Sequence, residues 1–230
     1  MTLTAVVTAH NYGRYLDRCL TSCRDFGVEQ VLVFDDGSTD STPRVLAAYP
    51  EVVVERREVA TGDPIWGSNL GIERATGTHL IFLDADNYLV ADPHDACGLA
   101  DYAFADIEVV GERGAFTTRW DFSAFETDAE DAYRAFQASA PYPRMPFPWG
   151  GVWRTAWLAD KRWRGWETTQ FAQDFRTAID WAKHRPTLAY HPTAFLAFRV
   201  HAGQWSQHPD RDVMYAEARA AQAEPFEVVD

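Results

Sequence analysis

The chain has 230 residues, a formal net charge of −13 and 47% hydrophobic residues. That length suits one α/β domain with a large core, and the acidic balance excludes broad electrostatic adhesion to nucleic acid or anionic lipid. No apolar run reaches the roughly 18–20 residues that a bilayer span needs, and the chain opens directly into a strand with no basic leader, so a soluble, cytoplasmic protein is expected.

Strand, loop, helix and strand recur through the first ninety residues. Leu3–Thr8 reads as a strand, followed by the loop Ala9-His10-Asn11-Tyr12-Gly13. The apolar set Tyr15, Leu16, Cys19, Leu20, Cys23 and Phe26 then falls at helical spacing. Cys19 and Cys23 sit four apart on that helix as small apolar side chains; with Cys97 they offer neither the ligand number nor the spacing of a zinc site. Val31–Phe34 is the next strand, and Asp40 or Ser41 can cap a helix carrying Pro43 in its first turn. Val52–Val54 reads as a short strand, Asn69–Ala75 as a helix stopped by Gly77, and Leu80–Leu83 as a central strand. Such alternation implies a mostly parallel sheet with helices on both faces.

The second part is less regular. Ile107–Val110 and Phe116–Trp120 look like strands, and Ala129–Ala138 looks like a helix. Between Pro141 and Gly151 four prolines and two glycines preclude regular structure and suit a rigid, aromatic site loop. Helices are expected over Gln170–His184 and Asp212–Gln222, and a strand over Ala194–Val200. From Arg144 to Arg185 eight Lys/Arg face four acids, a net +4 inside an acidic chain; such a face is either simply solvated or a dock for an anionic acceptor. Trp149, Trp153, Trp157, Trp163 and Trp166 cluster within eighteen residues, and suit sugar or base stacking and a plain core equally.

Two of the apolar strands end abruptly in carboxylates: Val31-Leu-Val-Phe34 in Asp35-Asp36-Gly37-Ser38, and Leu80-Ile-Phe-Leu83 in Asp84-Ala85-Asp86. Ligands of open α/β sheets bind at such carboxyl ends. Four carboxylates at one rim call for a cation and an anionic, hydroxyl-rich ligand. A dinucleotide site would need Gly-x-Gly-x-x-Gly after the first strand, where this chain has Ala9-His10-Asn11-Tyr12-Gly13.

Taken in order, Val6-Val-Thr-Ala-His-Asn11, Phe34-Asp-Asp-Gly-Ser-Thr-Asp40, Asn69-Leu-Gly71 with Ala75-Thr-Gly77, and Phe82-Leu-Asp-Ala-Asp86 resemble the family-2 glycosyltransferases of the GT-A fold. The likeness is strong over 3–93 and continues weakly through Asp174 and Arg199-Val-His201. It implies an α/β GT-A type α/β/α sandwich with a mostly parallel central sheet. One catalytic domain would span 1–230, its nucleotide-sugar half at 1–93 and its acceptor half at 94–230. It further implies an inverting glycosyl transfer from a nucleoside diphosphate sugar, with uridine as the expected base. The acceptor would be a saccharide, a protein, a lipid-linked precursor or a modified nucleobase.

By the same resemblance Thr8, His10 and Asn11 flank the base and ribose, Asp36 accepts the uracil imide N–H, Asp84 addresses the ribose, and Arg199 contributes to diphosphate recognition. Asp86 and His201 would hold Mn²⁺ or Mg²⁺, hard ions that take oxygen ligands and bridge diphosphates. Alternation along an extended segment would set Asp84 and Asp86 on one side. Asp174 matches the general base, with Glu167 after Gly165-Trp166 as its rival. Two positions depart from the pattern: Gln173 stands where an acid is usual, and Trp66-Gly67-Ser68 lacks the arginine that many relatives place before Asn69. Those departures favour the alternative, a non-catalytic nucleotide-sugar-binding or assembly protein that kept the fold.

Overall fold

Nine strands form a single sheet in the computed structural model, which describes residues 1–63, 65–138, 149–164, 173–204 and 211–223. The first half is wound as the alternation requires: β1 (Leu3–Ala9), α1 (Gly13–Asp25), β2 (Gln30–Asp35), α2 (Thr42–Leu46), β3 (Val53–Arg56), α3 (Trp66–Arg74) and β4 (His79–Asp84). The pairs β1–β2, β1–β4 and β2–β3 are all parallel. Their register sets Ala9 beside Asp35 and Thr8 beside Asp84, so three strands end level and deliver their polar termini to one rim. Leu3, Val6, Val7, Val33, Leu80 and Ile81 are buried; a fully buried side chain of this size contributes ~1.5–3 kcal/mol.

Helix α3 begins three residues before the expected start, and its glycines explain why. A Cβ on Gly71 would lie 2.3 Å from Val6 Cγ1, and one on Gly67 would lie 2.5 Å from Phe34 Cβ. The helix therefore rests directly on β1 and β2. In α1 the buried side chains are those of the expected stripe, Cys19 and Cys23 among them.

The chain continues through β5 (Tyr88–Leu89), β6 (Tyr102–Val110), β7 (Phe116–Trp120), α4 (Ala129–Ala138), β8 (Gly151–Arg154), α5 (Thr155–Leu158), α6 (Gln173–Lys183), β9 (Leu188–Arg199) and α7 (Arg211–Gln222). The sheet order is β3-β2-β1-β4-β8-β6-β9-β5, with β7 paired to β6. Here it becomes mixed: β8 runs antiparallel to both β4 and β6, while β6 and β9 are parallel. Strands β6 and β9 begin earlier than hydropathy suggested, and β8 was not expected at all. Trp153, Trp163 and Trp181 are buried against Phe82 and Tyr102, with Trp153 and Trp181 rings 4.9 Å apart. Of the tryptophan cluster, Trp153 and Trp163 are core, half-buried Trp157 stacks on Trp153, half-buried Trp149 packs against Phe198, and Trp166 lies outside the described residues. Among the described residues no helix is long and apolar enough to cross a membrane.

Candidate functional site

The rim formed by the ends of β1, β2 and β4 carries the carboxylates, and each has a different environment. Asp35 is buried, accepts the Ser38 N–H at 2.9 Å, and pairs with Arg56 at 3.2 Å. It holds the turn together. Asn11 does similar work from the other side. Its backbone is left-handed (φ 57°), a conformation asparagine tolerates better than most residues. Its Oδ1 accepts the Thr39 N–H at 2.8 Å and the Asp40 N–H at 3.3 Å. His10 Nδ1 donates to the Asp36 carbonyl at 2.7 Å, and Asn11 Nδ2 reaches His10 Nε2 at 3.0 Å. His10 and Asn11 thus lie at the site, but their polar atoms brace the β2 turn.

Asp36 is placed unexpectedly. Its carboxylate accepts the Thr61 N–H at 3.1 Å, the Gly62 N–H at 2.9 Å and the Thr61 hydroxyl at 3.2 Å, and pairs with Arg57 at 3.4 Å. In this state the group assigned to the uracil imide holds the loop that follows β3. Arg57 also donates to the Thr61 hydroxyl and lies 4.0 Å over the Trp66 ring. It sets a guanidinium beside Trp66, next to the segment where the resemblance leads one to expect an arginine; Ser68 itself is buried.

Strand β4 ends at Asp84, and residues 85–86 turn rather than extend. The two aspartates consequently diverge. Asp84 stays open to solvent, accepts a hydrogen bond from Thr8 Oγ1 at 3.3 Å, and is ringed by protein at the foot of the cleft. That confinement, with repulsion from Asp86 and Asp174, pushes its carboxyl up to about 7. Asp86 turns inward, only 3% exposed, and its Oδ2 lies 2.9 Å from Nε2 of the equally buried His201. Because His201 Nδ1 accepts the Gly203 N–H at 3.2 Å, the network assigns the ring proton to Nε2, donating to Asp86.

Asp86 and His201 would hold a hard divalent cation only once the ring gives up its Nε2 proton, because Nε2 donates to Asp86 and Nδ1 accepts from Gly203. Two protein donors sit at the separation of neighbouring ligands, and Mg²⁺-type ions take one or two carboxylates with substrate phosphates and water completing the shell. A cation there would also relieve the crowding of charge that raises Asp84. Among the described residues no group of three or more His, Cys, Asp or Glu side chains is arranged to hold a metal unaided.

Arg199 is buried behind this pair. Its Nε donates to the Asp86 carbonyl at 2.8 Å, Nη1 to the Glu112 carbonyl at 2.6 Å, and its guanidinium lies 4.9 Å from Tyr15 and 5.2 Å from Tyr88 ring centres. It braces the Asp86 turn from within the protein. Tyr12 was missed from sequence. Burial and the Asp86 and Asp84 carboxylates push its phenol up, so it faces the site as a protonated hydroxyl.

From the second half of the chain, Asp174 enters in the first turn of α6. Its Oδ1 accepts the Phe175 N–H at 3.0 Å and its Oδ2 the Trp149 indole N–H at 3.4 Å. Burial raises this carboxyl above the usual range, and the two hydrogen bonds oppose that rise. Asp174 is near enough to Asp84 to raise it, so both halves meet at one cleft. Gln173 beside it is buried. Glu167 lies outside the described residues.

The profile of glycosyl transferase family 2 matches residues 4–151. An uncharacterized glycosyltransferase of Mycoplasma pneumoniae is 30% identical over 99 residues, 39% of this chain and 32% of that protein. The poly(ribitol-phosphate) beta-N-acetylglucosaminyltransferase TarS of Staphylococcus aureus is 27% identical over 122 residues, 50% of this chain and 21% of that protein. The chain thus spans a third or less of the length of these two relatives. The crystal structure of S. aureus TarS 1–349 in complex with UDP-GlcNAc superposes with a TM-score of 0.67 at 19% identity, covering 89% of this chain and 60% of that one. The profile match over residues 4–151 makes the chain a member of glycosyl transferase family 2, and the superposition gives it the GT-A fold.

Proposed function

We propose that the chain transfers a glycosyl group from a uridine diphosphate sugar to an acceptor hydroxyl, with inversion at the anomeric carbon. The observation that carries this reading is the meeting of Asp84, the Asp86–His201 pair and Asp174 at the carboxyl ends of the parallel strands. Complexes of TarS, one of them with UDP-GlcNAc, share that fold. Family membership and the uridine nucleotide bound to that neighbour support the donor class.

Asp174 takes the proton of the acceptor hydroxyl as its oxygen forms a bond to the anomeric carbon. On the opposite face the bond from that carbon to the diphosphate oxygen breaks, and the electron pair leaves with the nucleoside diphosphate. Asp84 with Thr8 orients the ribose hydroxyls, and Tyr12 offers a neutral donor beside them. Asp86 and His201 would hold Mn²⁺ or Mg²⁺, and the ion would supply charge neutralisation for the departing diphosphate. Arg199 keeps the Asp86 turn in register.

Calorimetric titration of UDP into the protein with Mn²⁺, with Mg²⁺ and with chelator tests the donor and metal assignments. Wild type binds UDP in a metal-dependent manner and Asp86→Ala loses that dependence while keeping its fold. Equal affinity with and without chelator overturns the metal role. Tighter binding of a guanosine diphosphate than of UDP overturns the base assignment.

A further inference from the structure

The Trp149-Gly150-Gly151 sequence closes the proline-rich segment, and its placement gives it a task. Gly150 has φ 84°, and a Cβ on Gly151 would lie 2.4 Å from the Tyr102 ring. Only glycines let the chain reverse there and lie flat on Tyr102 as it enters β8. The Tyr102 hydroxyl donates to the Trp149 carbonyl at 3.2 Å. The indole stacks on Phe198, with centroids 5.6 Å apart and planes at 28°, and Phe198 in turn meets Trp120 at 4.9 Å. The ring is held by its backbone and by one face, and its Nε1–H is aimed at Asp174 Oδ2 at 3.4 Å.

We propose that Trp149 is a positioning residue for Asp174: its indole N–H fixes the orientation of the carboxylate and favours the ionised form that can accept a proton. The inference rests on Asp174 being the general base. Asp174 is one helical residue in a partly buried setting, faced across the cleft by the like-charged Asp84. Burial drives it towards the neutral acid, which has no proton-accepting capacity. The Phe175 N–H binds Oδ1 and the indole N–H binds Oδ2, so each oxygen has a donor that orients it and each keeps a lone pair. Trp149 touches neither the sugar nor the nucleotide in this account; it acts through the carboxylate.

The test compares wild type, Trp149→Phe, Asp174→Asn and the double variant. Phe keeps the stack on Phe198 and deletes the N–H; Trp149→Leu, which also lacks a donor, serves if Phe does not fold. The first readout is the carboxyl ¹³C titration of Asp174, identified by its absence in Asp174→Asn. It moves up by about one pH unit without the indole donor, since one unit is a tenfold change in the ionisation equilibrium. The second is UDP release from UDP-N-acetylglucosamine with water as acceptor, across pH. Trp149→Phe loses about tenfold on the acid limb and rejoins wild type on the alkaline plateau, with the KM for the donor unchanged. In the Asp174→Asn background the same substitution has no further effect. An unmoved titration, or losses that simply add, overturns the positioning role while a slow Asp174→Asn keeps the base reading standing. An Asp174→Asn enzyme as fast as wild type overturns the base reading and this inference with it.

Discussion

Replacing Asp36 by Asn exchanges one carboxylate oxygen for an NH₂ group and removes the charge. In the native arrangement Oδ2 accepts the Gly62 N–H at 2.9 Å and Oδ1 accepts the Thr61 hydroxyl at 3.2 Å beside Arg57, with the Thr61 N–H 3.1 Å from both oxygens. Whichever way the amide turns, a donor then faces a donor in a site only 8% exposed. A hydrogen bond to a charged group contributes ~1.5–3 kcal/mol. At 1.4 kcal/mol per tenfold, that loosens the loop by about 10- to 150-fold. Amide hydrogen exchange at Thr61 and Gly62 reads this directly: protection falls by that factor in Asp36→Asn, while amides in β1 and β4 keep theirs. UDP affinity falls as well, because the carboxylate that would meet the imide is gone. Exchange at both amides within about threefold of wild type would refute the idea that Asp36 anchors the loop.

Gly71→Ala places a methyl 2.3 Å from Val6 Cγ1, an overpacking that costs ~1–3 kcal/mol; chemical denaturation should show a lower midpoint with an unchanged slope. His94 lies between Asp92 Oδ1 (2.7 Å) and Glu29 Oε2 (3.0 Å). Burial opposes its charge, but the bonds to the two carboxylates outweigh it and raise its pKa above 6.5, while Glu29, bonded to His94, is held low. A raised histidine stabilises the fold fully below its unfolded value and loses that contribution as pH rises through the folded one. Thermal melts from pH 5.5 to 9 should therefore show a decline that His94→Gln flattens; an identical decline in the variant would contradict it.

The parallel half of the fold was legible because its strands are buried on both faces and read as unbroken apolar runs, as in Val31–Phe34 and Leu80–Leu83. Strand β8 was not: four residues beyond a proline-rich stretch carry no periodicity, and pairing with β4 and β6 makes them a strand. The same limit explains the site. Which aspartates stand at strand ends can be read locally, but that Asp86 meets His201, 115 residues later, depends on the order of the whole sheet. The resemblance of Arg199-Val-His201 to the family pattern carries Arg199 to the diphosphate. Its partners are main-chain carbonyls, which leave no mark in a sequence. Arg57, Thr61 and Trp149 have no motif, and only the tertiary structure reveals them.

The direct seating of α3 on β1 and β2 has a mechanical consequence. A helix whose glycines touch valine and phenylalanine side chains cannot slide towards the sheet, and sliding away would open voids beneath it. The floor of the cleft is therefore stiff, whereas the segment held to Asp36 through Thr61 and Gly62 is attached by polar contacts alone and is the part of the wall that can yield. A donor entering such a cleft meets a fixed template below and an adjustable wall beside it, so substitutions that tune which sugar is accepted should accumulate in that wall while the floor stays unchanged.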